Sequence, residues 1–166
     1  MRKIPAKLVL RDATLVAATL LLWALDARYR HTPGAVSAVV GLAAALGAVL
    51  CAYLAHEWGH LLGALSRGAA VHFARRPTEV FLFRFDSERN GTREFLGMSY
   101  GGFLASSLVL VLYLFLLPLD ALSGRVTLGL VLVGVVLTAV VEVPIAWRVA
   151  HGAPIPRGAA YKSGGA

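Results

Sequence analysis

The stretch "AYLAHEWGHLLGAL", from Ala52 to Leu65, places His56, Glu57 and His60 in otherwise apolar surroundings. These residue types hold metals and move protons, and His56-Glu57-Trp58-Gly59-His60 has the spacing H-E-x-x-H. Residues four apart lie on one face of a helix, so both imidazoles can aim a ring nitrogen at one Zn²⁺. Glu57 would stand beside that ion, placed to take a proton from water and deliver it to a leaving amine. Two histidines and a glutamate in a greasy helix carry a large desolvation cost unless they are paired or coordinate something.

The elements that must position these residues are hydrophobic. Of 166 residues, 58% are hydrophobic, and the mean hydropathy is +0.71, well above a usual globular composition. Four apolar segments carry the excess: Leu8–Leu25, Ala35–Leu65, Tyr100–Leu117 and Val126–Trp147. Each is near or above the roughly 18 residues that cross a bilayer as a helix. The expected fold class is an all-α membrane protein of about four transmembrane helices.

A net charge of +7 raises the question of nucleic acid, which the positions of the 16 basic residues answer. Arg2, Lys3, Lys7 and Arg11 lie before or at the start of the first segment, Arg67 to Arg93 between the second and third, and Arg148, Arg157 and Lys162 after the fourth. Only Arg28, Arg30 and Arg125 fall in the two alternate loops. This alternation is that of four spans with both termini in the cytoplasm, and it makes nucleic-acid binding unnecessary. The first segment ends in "LDARYR", without a small-x-small cleavage pattern, and reads as a retained anchor. Arg11 and Asp12, just inside it, are expected to pair or snorkel. The lone Cys51 excludes an intrachain disulfide.

Between the second and third spans, "EVFLFRFDSERNGTREFLGMSY" carries β-prone runs around Asn90-Gly91, a strong hairpin signal. It predicts strands over Glu79–Phe85 and Arg93–Met98, a small cytoplasmic β-hairpin with Phe81, Phe83 and Phe85 on one face. The second span, about 46 Å as one helix, must tilt or protrude, with Ser66-Arg67-Gly68 as its stop. Residues 1–150 read as a single transmembrane domain, and 151–166, rich in Gly, Ala and Pro, as a flexible cytoplasmic tail.

"HEWGHLLGAL" resembles the H-E-x-G-H-x-x-x-A segment of the site-2 protease family, intramembrane zinc metalloproteases that cut transmembrane substrates. Gly59 and Ala64 match the longer form approximately. Gly101-Gly102-Phe103-Leu104-Ala105-Ser106 is similar to the family's A-G-P-L-A-N segment, although such small residues equally suit a close helix contact. The resemblance covers roughly Ala35–Val149.

A catalytic zinc usually takes three protein ligands, and the family supplies the third from an L-D-G motif on its last core helix. Here the candidates are Asp120, in "LPLDAL", and Glu142, in "VVEVPIAW". Depth separates them. Asp120 falls in the external loop, whereas Glu142 lies six residues, about 9 Å, before Arg148, near the depth of the histidines. Glu142 is also the only ionisable residue from Val126 to Trp147, with the helix-disrupting Pro144 two residues on. The expected metal ligands are His56, His60 and Glu142, the alternative for Glu142 being a buried hydrogen bond or a salt bridge to a loop arginine.

The chain departs from the family in having glutamate for aspartate and in lacking the asparagine near the active site, since Asn90 is its only one. Ser106 or Ser107 is the candidate replacement. His31, His72 and His151 read as solvated or surface residues. The resemblance implies Zn²⁺ as cofactor, Glu57 as catalytic base and acid, a transmembrane protein as substrate and the lipid bilayer as surroundings. It also implies that a strand edge near the zinc binds the unwound substrate. A pseudoprotease or membrane-assembly protein keeping a structural zinc site is the competing class, and a zinc hydrolase of lipid-like substrates a third.

Overall fold

The computed structural model describes residues 4–158 and 160–162. Four long helices dominate: α1 (Ala6–Tyr29), α2 (Ala35–Ser66), α3 (Thr92–Leu116) and α4 (Leu122–Ala150). All four are long and apolar enough to cross a membrane. Their outer faces carry large exposed side chains such as Leu10, Leu104, Phe115 and Val140.

α2 ends as its stop signal requires. Gly68 takes φ +77°, its N–H reaching Leu65 O and that of Ala69 reaching Ala64 O, which closes the helix with a left-handed residue best filled by glycine. α2 meets α3 through glycine. A Cβ at Gly59 would lie 2.5 Å from both Gly101 O and Ala105 Cβ, and one at Gly63 would overlap Gly97 O. Helix axes approach this closely only where side chains are absent.

Strands β1 (Val71–Phe73) and β2 (Phe83–Asp86) form an antiparallel pair between α2 and α3, with Val71 opposite Phe85 and Phe73 opposite Phe83. The pair exists, but its placement corrects the expected hairpin. Arg93–Met98 is the first part of α3, and Glu79–Leu82 is loop. Asn90-Gly91 is not a hairpin turn: Gly91 caps α3, its N–H bonding Glu94 Oε2 at 2.9 Å. Asn90 instead imitates a strand, accepting from Ala70 N and donating to Ala70 O, both at 2.7 Å. Phe95, Met98 and Gly102, spaced three and four apart, are buried as a helical face requires. Phe83 and Phe85 are buried at 6% and 0% exposure, whereas Phe81, outside the strand, is 37% exposed.

The apolar core sits at the sheet end of the bundle, where Leu8, Leu61, Val71, Leu82, Phe85, Phe95 and Val149 pack together. At the far end, buried Asp26 accepts from Ser123 Oγ at 2.8 Å and lies 3.7 Å from Arg30, joining α1 to α4. The segment after α4 turns back onto the sheet, where β3 (Tyr161–Lys162) pairs in parallel with β2.

The loop from Ala74 to Leu82 is strapped to the helices beneath it. Lys7 Nζ donates to Arg75 O, Arg11 to Pro77 O at 2.8 Å and Tyr53 Oη to Val80 O at 2.8 Å. Within the loop, the N–H groups of Arg76 and Arg75 donate to the Glu79 carboxylate and hold it below the usual carboxylate range.

Candidate metal centre

α2 presents His56, Glu57 and His60 toward α4, which supplies Glu142. His56 Nε2 lies 3.4 Å from Glu142 Oε1, His60 Nε2 3.3 Å from Glu142 Oε2, and the two Nε2 atoms 2.9 Å apart. Asp120 is exposed in the loop between α3 and α4, away from this group. His56, His60 and Glu142 can therefore hold a metal ion.

The tautomers support a cation. His60 Nδ1 lies 2.9 Å from Met98 O, and His56 Nδ1 lies 2.8 Å from Ser106 Oγ and 3.3 Å from Gly102 O. A carbonyl oxygen only accepts, so each Nδ1 carries a proton, and in a neutral ring Nε2 is then left with a lone pair. With both rings neutral, two lone pairs and a carboxylate converge, an arrangement that suits a cation. Donor atoms around one tetrahedral ion at zinc's bond lengths stand roughly 3.3–3.6 Å apart, so the two carboxylate distances fit and the Nε2 pair would open slightly.

α3 is the support for both rings. Gly102 leaves room for the His60 imidazole: a Cβ there would stand 2.5 Å from His60 Nδ1. Ser106 orients His56, whereas Ser107 bonds back to Phe103 O within its own helix. Of the two candidate serines, only Ser106 meets the site.

Glu57 lies beside the candidate ligands rather than among them. Its Oε2 accepts the Leu82 N–H at 3.2 Å, which ties the carboxylate to the strapped loop. Glu57, His60 and Glu142 line a cavity of about 240 Å³ together with Phe81, Phe83 and Tyr161. His56 lines a second, smaller one of about 120 Å³ with Ser106 and Thr138, between the helices. Burial pushes the Tyr161 phenol above its ordinary pKa, and the nearby Glu142 carboxylate pushes it the same way.

The remaining histidines stand apart. His72 Nε2 donates to Asp86 Oδ2 at 2.9 Å, His151 stacks on Trp147, and His31 is exposed. Sequence reasoning missed the Leu82 and Met98 backbone groups, which carry no residue-type signal. Arg11 and Asp12 did carry one, as charges inside an apolar helix. Asp12 accepts from Arg11 Nε at 2.6 Å and from Trp58 Nε1 at 2.8 Å, bracing α2 within the H-E-x-x-H stretch against α1. Comparison of the chain with protein-family models, curated proteins and solved structures finds no match.

Proposed function

We propose that this chain is an intramembrane zinc metalloprotease resembling the site-2 proteases, hydrolysing a peptide bond in or near a membrane-spanning segment of a protein substrate. The observation that carries this reading is the convergence of His56 Nε2, His60 Nε2 and the Glu142 carboxylate beside Glu57, with Glu57, His60 and Glu142 lining one cavity. Two imidazoles and one carboxylate suit zinc and leave a coordination position open. When bound, zinc supplies Lewis acidity toward a water and toward the scissile carbonyl.

The chain's own residues do the rest. Glu57 takes a proton from the attacking water, whose oxygen bonds to the amide carbon. It returns that proton to the nitrogen as the C–N bond breaks, leaving one new carboxyl and one new amine. The Leu82 N–H fixes the carboxylate orientation, and the Met98 and Gly102 carbonyls with Ser106 fix the two rings. The four apolar helices support placement in a bilayer, with the centre toward the sheet end of α2 and α4.

The test is Glu57→Gln in purified protein reconstituted with single-span membrane reporters. The variant should retain one zinc per chain and lose cleavage by about 10²–10⁴-fold. Zinc retained in wild type with no reporter cut would favour a structural zinc site in a membrane-assembly protein. Unchanged cleavage by the variant would overturn the mechanism.

A further inference from the structure

The cavity that contains Glu57 is also lined by the chain's own C-terminal segment. β2 gives one edge to β1, and Tyr161–Lys162 takes the other, Phe85 standing opposite Tyr161 and Asp86 opposite Lys162. Phe85 N–H donates to Ala160 O at 3.1 Å. Ala160 and Tyr161 line the cavity with Glu57, His60 and Glu142. The segment is thus an extended peptide on a strand edge beside the proposed ligands.

Its attachment is short. Parallel pairing is the weaker form, and β3 is only two residues long. The connection from α4 contains Pro154 and Pro156 and turns at Gly152, φ +92°, and Gly158, φ +155°. Its anchors are Ser87 Oγ on Pro156 O at 3.1 Å, with Ile155 and Tyr161 packed against the apolar cluster. Tethering replaces intrinsic affinity: a short linker holds a segment at an effective concentration near millimolar, so a weak occupant stays in place until a better one competes. Released, it would bare the backbone N–H of Phe85 on a strand edge suited to an extended chain.

We propose that the segment around Ala160–Lys162 is an intramolecular occupant of this edge, which an extended peptide must displace to enter the Glu57 cavity. The inference rests on reading that cavity as a peptide site, and binding tests it apart from hydrolysis. A fluorescent synthetic peptide of residues 155–166 is titrated, without metal and in a Glu57→Gln background, against the intact chain, a chain ended at Gly158 and the full-length Tyr161→Ala variant. The shortened chain should bind it about tenfold or more tightly than the intact chain, with Tyr161→Ala between them. Equal affinity for intact and shortened chains, or no binding to a shortened chain that keeps its thermal midpoint, would overturn the proposal. Should the shortened chain fail to fold, the Tyr161→Ala comparison decides, and affinity equal to the intact chain's overturns it. Tighter binding with no reporter cleavage by any metal-loaded chain carrying Glu57 would sustain the tail inference and sink the protease reading. Cleavage by intact and shortened chains at one rate, with equal peptide affinity, would do the reverse.

Discussion

Ser106 Oγ lies 2.8 Å from His56 Nδ1, joining the middle of α3 to the first residue of the H-E-x-x-H stretch. The contact fixes which ring nitrogen faces Glu142. Ser106→Ala should weaken zinc affinity by about tenfold, the lower end for loss of an orienting partner, because Gly102 O still accepts at 3.3 Å. Titration against a competing chelator reads this directly. Unchanged affinity would show that the serine does not orient the ring.

Gly102 makes a sharper demand, since a methyl there would meet the His60 ring rather than open space. Gly102→Ala must move the imidazole or part α2 from α3, at a cost of about 1–3 kcal/mol for overpacking. The predicted outcome is a chain that keeps its helical content but binds little zinc, measured by circular dichroism and metal analysis. Full zinc occupancy would mean that the two helices separate without disturbing His60.

The strapped loop can be loosened without touching the centre. Tyr53→Phe removes the hydroxyl that donates to Val80 O, a bond worth about 1 kcal/mol. Backbone amides from Val80 to Leu82 should then exchange several-fold faster by hydrogen exchange, since part-exposed loops open locally at low cost. On the proposed mechanism, reporter cleavage should fall with them, as the Leu82 N–H is what holds Glu57. Exchange identical to wild type would rule out the strap.

What could be read from the sequence here was either local or a matter of depth. His56 and His60 share a helix face by spacing alone, and Glu142 stood out as a lone carboxylate in an apolar helix whose distance from Arg148 could be counted. The start of α3 was not legible, because Asn-Gly serves a hairpin turn and a helix N-terminus alike. Here Ala70, twenty residues earlier, decides for the helix by bonding the Asn90 amide. β3 was equally hidden: a Gly- and Pro-rich tail has no strand pattern, and it pairs only because β2 leaves an edge free. Leu82 N–H and Met98 O belong to the backbone, so no reading of side chains could have found them.

Acid tests the sheet end of the molecule through Asp86. Its carboxylate accepts His72 Nε2–H at 2.9 Å and the N–H groups of Arg89 and Glu88 at 3.2 Å. Those bonds, His72 first, favour the charged form and hold the Asp86 pKa below its ordinary value. A depressed carboxyl contributes stability that is fully present above its unfolded pKa, about 3.9, and that disappears as pH falls through the lower folded value. Asp86→Asn should therefore unfold earlier than wild type by a difference worth about 1–3 kcal/mol at about pH 6. That difference should shrink steadily below about pH 4, as first the unfolded and then the folded wild type takes up the proton. Thermal unfolding of both chains in detergent micelles between about pH 6 and pH 2.5 measures it. A difference that stays constant over that range would show that the Asp86 charge does not stabilise the sheet.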